Sequence, residues 1–321
     1  MASSSRNDNE IEEIANNPDE LEKDPTRQFI RFNKMVGIGT LKKVYEGLDT
    51  YNGHKIAWSK MEVGQIGKHG VNKCCEEAEM MKSLNHPNIV KCYTYWYDGI
   101  NTINIITDLC SSGNLREYIH KHDLFRCPAA IKSWCRQILS ALHYIHSQNI
   151  IHLDVNVDNI VVNGNSGTVK LADFGFAVYK EPSNVYSTYG GRPGCRAPEV
   201  LSYEYNHLAD IYSFGMTVLQ MMTYEKIYSE CETLAKIVEA VQSGTWPDAM
   251  KLVYDLQLRQ FIERCIKPAS ERPEASELLR HPSLATTDEG GERSQDNMPN
   301  PKAVINSQEQ TIGSILFYSI L

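Results

Sequence analysis

The chain has 321 residues, with 32 Lys and Arg against 40 Asp and Glu, for a formal net charge of −8. That balance argues against bulk binding to nucleic acid or to an anionic membrane surface, and leaves room for local basic pockets only. With 42% apolar and 22% charged residues the composition is that of a globular protein, not a disordered or fibrous one, and the length suits one two-lobed domain or two smaller ones.

The first stretch, residues 1–28, is polar, acidic and free of aromatic residues up to Pro25, so it reads as a disordered tail. No signal peptide is expected, because Met1 to Glu13 holds no apolar core. From Phe29 to Leu284 the chain is dense in apolar residues without a linker. Residues 285–321 read as a second disordered tail that ends in a short apolar run, TIGSILFYSIL. No stretch of 18 apolar residues occurs, so no membrane span is expected. The nine cysteines show neither zinc nor disulfide spacing, which implies a reduced protein, expected in the cytoplasm.

Within the dense region, residues 30–60 alternate and turn. Asn52-Gly53, between Val44-Tyr45 and Ile56-Ala57-Trp58, is a strong hairpin signal. Residues 71–84 predict a helix and 102–109 a strand. From Pro128 the period changes: Ile131, Trp134, Ile138, Leu142 and Ile145 recur three or four apart and form one apolar stripe. Further helices are predicted over 209–223, 233–243 and 255–266. A small sheet-plus-helix lobe therefore precedes a larger helical one.

Four short motifs fall in order along this pattern. Gly37-Ile38-Gly39 opens a loop whose backbone can approach phosphates. Ile151-His152-Leu153-Asp154-Val155-Asn156-Val157-Asp158-Asn159 carries an Asp able to accept a hydroxyl proton and an Asn able to ligate a metal. Asp173-Phe174-Gly175 follows the predicted strand 168–172, and Ala197-Pro198-Glu199 closes the segment. Each is weak alone, since a tight turn or a polar loop explains any one of them.

Together they resemble a eukaryotic protein kinase over about residues 30–284. The resemblance implies an α+β, bilobal kinase fold, with an N-lobe over 29–108 and a C-lobe over 112–284. Glu77 would be the acidic residue of the N-lobe helix. Asp210 would brace the catalytic loop, and Arg272 would pair with Glu199.

One expected charge is displaced. Where a kinase has V-A-I-K, this chain has Ile56-Ala57-Trp58-Ser59, and Ser59 cannot hold a phosphate electrostatically. Side chains alternate faces along a strand. Lys42 shares the parity of Val44, which the kinase pattern aims at the nucleotide, so Lys42 is expected to reach the space beside Ser59. Lys43 and Lys60 have the wrong parity, and Lys55 lies about 13 Å along the strand.

A lysine so displaced is the mark of the With-No-Lysine serine/threonine kinases, and the strings KKVYEGLDTYNGHKIAW and FGMTVLQMMTYEKIYSECETLAKI resemble their plant members. The resemblance implies ATP and Mg²⁺ as cofactors and protein substrates and signalling proteins as partners. Asp154, Lys42 and Asn156 would serve catalysis, and Asn159 and Asp173 the metal. Val36, Gly37, Gly39, Lys42, Val44 and Ala57 would surround the nucleotide from the N-lobe. Glu77 and Val161 would join them, with Thr107 as gatekeeper and the hinge from Asp108 to Cys110.

Four departures qualify this. Leu153 replaces the Arg that normally receives a phosphate on the activation segment, so phosphorylation at Ser187 or Thr188 would lack that partner. Asn156 replaces a Lys that contacts the transferred phosphate. Arg192 replaces a Thr that contacts the catalytic Asp, and is expected to lower the pKa of Asp154. Phe174 and Phe176 replace leucines that line the family's chloride-inhibition site, so chloride sensing is not implied. The alternative expectation is a nucleotide-binding scaffold without catalysis.

Overall fold

The computed structural model describes residues 20–38, 42–64, 67–183, 186 and 191–285. Six strands form one antiparallel sheet in the order β1-β2-β3-β4-β6-β5, namely β1 (Glu20–Lys23), β2 (Phe29–Ile38), β3 (Lys42–Asp49), β4 (His54–Glu62), β5 (Cys92–Tyr97) and β6 (Thr102–Asp108). The Asn52-Gly53 hairpin is as predicted: Asp49 pairs with His54, and Gly53 takes φ +68°, which a glycine adopts without strain. Trp58 and Ile106 are fully buried on one face of the sheet, and Trp58 Nε1 donates to Asn104 Oδ1 at 2.9 Å, so the indole N–H is not left orphaned.

Helix α1 (Gly67–Ser83) packs on β5 and β6 through Ala78 and Met81. It begins four residues before the predicted start. Gly67 and Gly70 weaken the intrinsic signal there, and packing overrides it.

The region that follows is mainly helical: α2 (Leu115–His122), α3 (Pro128–Ser147), α4 (Leu208–Thr223), α5 (Leu234–Gln242), α6 (Leu256–Cys265) and α7 (Ala275–Leu278). Asn114 Oδ1 caps α2 by accepting from Glu117 N at 2.9 Å. The predicted stripe of α3 is buried at every position. Helix α4 is buried all round from Ala209 to Met221, as a helix at the centre of a lobe must be. Gly215 permits its close approach to α6, because a Cβ there would lie 2.6 Å from Cys265 Cβ.

Among the described residues between α3 and α4 run four short strands: β7 (Ile150–Ile151), β8 (Ile160–Asn163), β9 (Thr168–Leu171) and β10 (Val178–Tyr179). β8 pairs with β9, and β7 with β10. These pairs fix the two ends of the loop that carries Asp154 and place Asp173 just beyond β9.

One boundary differs from the sequence reading. Residues 20–28, expected in the tail, are folded: β1 pairs with β2, and Asp24 Oδ1 accepts from Phe29 N at 2.8 Å. Glu22 is the reason such an acidic stretch can pair, because it meets both Arg31 at 3.0 Å and Lys60 at 2.7 Å. Residues 1–19 and 286–321, Gly39, and Ser187 with Thr188 lie outside the described residues.

Candidate active site

A cavity of about 960 Å³ lies between the sheet and the helical region. Val36, Gly37, Lys42, Val44 and Ala57 line it from the sheet, Thr107, Asp108 and Cys110 from the connection, and Val161 and Asp173 from below. Ser59 lines it as well, opposite Val44 in the β3–β4 register. Strand parity is thereby realised. Lys42 faces the cavity, whereas Lys43 pairs with Glu62 at 2.9 Å, Lys60 with Glu22, and Lys55 with Glu46 at 2.8 Å. Among the described residues no intramolecular partner occupies the Cys110 amide, so a donor is left at the cavity wall.

Glu77 does not line the cavity but stands behind it. Burial pushes its carboxyl up to about 7; the neighbouring charge of Asp173 adds to this, and Lys42 and Lys73 oppose it. Lys42 acts on Glu77 through space and makes no hydrogen bond to it.

The loop 152–159 is held from beneath by Asp210. This fully buried carboxylate accepts from His152 N at 2.9 Å, Leu153 N at 2.8 Å and His146 Nε2 at 2.8 Å. Burial by itself would raise its pKa, but the hydrogen bond and charge of His146, with His152 behind them, hold it below the usual carboxylate range. Leu153 sits at φ +65°, a strained region for a branched residue, and the Asp210 bond fixes it there. This is a structural use for a position that, as Leu, contributes no charge.

Asp154 emerges above. Its Oδ2 accepts from Asn159 Nδ2 at 2.6 Å and its Oδ1 from Asn156 Nδ2 at 2.9 Å. Burial raises its pKa, with His152, Asn159 and Arg192 opposing. Arg192 does pull this pKa down, as expected, but desolvation outweighs the cation, whose guanidinium pairs with Asp158, and the net shift is upward. Asn156 also differs in its placement. It is fully buried, and its Oδ1 accepts from Asp158 N at 2.9 Å and Asn159 N at 3.2 Å, so both ends of the amide are spent on shaping the loop.

Asp173 stands at φ +63°, with Oδ1 accepting from Gly175 N at 3.3 Å. Phe174 beside it is buried edge-on against His152, ring centroids 4.7 Å apart, while Phe176 is exposed. Asn159 uses its NH₂ on Asp154 and has Oδ1 left; together with the Asp173 carboxylate this is a hard-oxygen donor pair. It fits a divalent cation of the kind that completes its shell with waters and phosphates. Among the described residues no group of three or more His, Cys, Asp or Glu could hold a metal without such help.

Sequence reasoning overlooked Asp158. It lines the cavity and binds Arg116 bidentately, Nε to Oδ1 at 2.8 Å and Nη2 to Oδ2 at 3.0 Å. An acid between Asp154 and Asn159 was the available signal. Lys170, which reaches the cavity-lining Asp108 at 2.5 Å, was also missed. Arg272 does meet Glu199, Nη1 to Oε1 at 2.5 Å.

Residues 30–284 match the protein kinase domain family. The chain is 44% identical over 272 residues to serine/threonine-protein kinase WNK8 of Arabidopsis thaliana, covering 83% of this chain and 48% of the relative. It is 43% identical over 272 residues to probable serine/threonine-protein kinase WNK10 of Arabidopsis thaliana, covering 83% and 52%. To probable serine/threonine-protein kinase WNK5 of Oryza sativa subsp. japonica it is 39% identical over 274 residues, covering 84% of each. The chain thus spans about half the length of the first two of these relatives.

Proposed function

The chain belongs to the With-No-Lysine family of serine/threonine protein kinases, and on that premise we propose that it transfers the γ-phosphoryl group of ATP to serine or threonine hydroxyls of protein substrates, with Lys42 as the nucleotide-anchoring cation. The observation that carries this reading is that Lys42 and Asp173 line one cavity together with the gatekeeper Thr107 and the hinge residue Cys110.

In this reading the Cys110 amide donates to the adenine, and Val44, Ala57 and Val161 enclose the ring. Lys42 offers an ammonium to the phosphates from the sheet side. Asp173 and Asn159 hold Mg²⁺, which when bound neutralises charge on the phosphate oxygens. Asp154 accepts the substrate hydroxyl proton. Its raised pKa suits it to that task, and Asn156 and Asn159 fix both of its oxygens. Positioning and electrostatics supply most of the rate enhancement.

A cytoplasmic site of action is part of the proposal. All nine cysteines are free thiols, which fits a reducing compartment. Among the described residues no helix is long and apolar enough to cross a membrane.

The test is transfer of radiolabelled phosphate by wild type, with Asp154→Asn as control. Transfer that disappears in the control supports the reading. A melting shift with Mg-ATP and no transfer by wild type would assign the chain to scaffolding instead.

A further inference from the structure

Charge is scarce beside Asp154. Asn156 and Asn159 are neutral amides, and His152 is fully buried with its ring between Asp154 N and Ala172 O. Arg192 is a cation whose charge reaches Asp154. Gly191 brings it there. At φ +85° this glycine lies directly on the catalytic loop, where a Cβ would meet Leu153 O at 2.4 Å and Asp154 Oδ1 at 3.6 Å. The Arg192 side chain is 49% exposed, and its Nη1 reaches Asp158 Oδ2. Asp158 itself lines the nucleotide cavity with Asp173.

Two features make Arg192 free to move. Asp158 already holds Arg116 through two hydrogen bonds, so it keeps a partner if Arg192 leaves. An ion pair as exposed as that of Arg192 contributes little, so breaking it costs little. A planar guanidinium also matches phosphoryl oxygens better than any other side chain.

We propose that Arg192 is a catalytic residue that leaves Asp158 during turnover and donates hydrogen bonds to the transferred phosphoryl group, the charge that Asn156 cannot provide. This rests on the kinase reading above. In the step, the substrate hydroxyl oxygen forms a bond to the γ-phosphorus while the bond from that phosphorus to the β–γ bridging oxygen breaks. The bridging oxygen keeps the electron pair on ADP, and the hydroxyl proton goes to Asp154. Arg192 transfers no proton; it stabilises negative charge on the three equatorial oxygens, as an arginine supplied in cis does in other phosphoryl-transfer sites.

The experiment is steady-state transfer from ATP to two generic acceptors, acidic casein and basic myelin basic protein, by wild type, Arg192→Ala and Arg192→Lys. Loss of one preorganised donor typically costs about 100-fold or more in kcat. Arg192→Ala should show that loss on both acceptors with KM for ATP little changed, Arg192→Lys should fall between, and added guanidinium ion below denaturing concentrations should restore part of the alanine variant's kcat. If Arg192→Ala does not fold, Arg192→Lys decides the matter: a kcat equal to wild type overturns the proposal. A loss confined to KM for casein also overturns it, since Arg192 would then read acidic substrates. If wild type itself transfers no phosphate, the kinase reading falls; if wild type is active and Arg192→Ala matches it, only the role of Arg192 falls.

Discussion

Glu77 and Asp173 face one another across Gly175: a Cβ on that glycine would lie 3.5 Å from Glu77 Oε2 and 3.3 Å from Asp173 Oδ1. Two carboxylates so placed repel, and at Glu77 the charges of Lys42 and Lys73 oppose that repulsion.

The first consequence is a pH-dependent stability. The Glu77 carboxyl titrates at about 7 in the fold against 4.5 as a free side chain, first through burial and then through Asp173. The folded chain therefore holds an extra proton between those values, and this favours folding at low pH. The advantage fades as pH rises through about 7. Glu77→Gln lacks this titration. Above pH 7 the variant should be the more stable, by up to about 3 kcal/mol, and below pH 4.5 the two should converge. Thermal unfolding of both proteins across this range checks it, and a gap independent of pH would contradict it.

The second concerns the displaced ammonium. Lys42→Met should lower phosphate transfer by about 100-fold or more, the scale expected for loss of a single electrostatic donor. Ser59 lines the same cavity from the neighbouring strand, directly opposite Val44. Adding Ser59→Lys to Lys42→Met should therefore recover part of the activity, while Lys43→Met, whose ammonium meets Glu62 on the outer face, should leave it unchanged. An inactive Lys43→Met beside an active Lys42→Met would reverse the assignment.

The third concerns the brace beneath the catalytic loop. Asp210→Asn removes a buried charge that accepts from two loop amides and His146, and should destabilise the protein by about 2–4 kcal/mol. Because the Asp210 pKa is depressed in the fold, its contribution is present above the ordinary value of 3.8 and is lost as pH falls through the folded value. The stability gap between wild type and variant should thus narrow only in strong acid, as followed by denaturant titration at several pH values.

The fourth is the ion pair between Arg272 and Glu199. The Arg272 side chain is fully buried and also donates to the carbonyls of Leu208 at 2.7 Å and Lys267 at 2.9 Å. Glu199→Leu strands that guanidinium and should cost about 3–5 kcal/mol, more than a surface pair ever does. Arg272→Leu and the double variant complete a cycle, and additive losses would show that the pair is not coupled.

Lys42, Ser59 and the α3 stripe were legible in the sequence because parity and period are local properties of strand and helix. Asp173 was legible as a cavity residue through the order of short motifs. The partner of Arg192 was not. Asp158 lies 34 residues upstream, and only the fold shows that its carboxylate stands closer to the guanidinium than Asp154 does. The inward turn of Asn156 was hidden for the same kind of reason: its side chain serves the loop's own backbone, which residue type alone does not reveal. Strand β1 was masked by its composition, since Glu20, Glu22 and Lys23 suggest a solvated tail until Arg31 and Lys60 are seen waiting across the sheet.

That strand also bears on how the protein should be handled. The region matching the kinase family starts at residue 30, so a recombinant fragment trimmed to the match would discard β1 and leave β2 as an open edge. Unpaired edges recruit other chains. Such a fragment would be prone to self-association and would carry Arg31 and Lys60 without their counter-charge, whereas one beginning before Glu20 keeps β2 paired and leaves only the short, charged β1 at that edge.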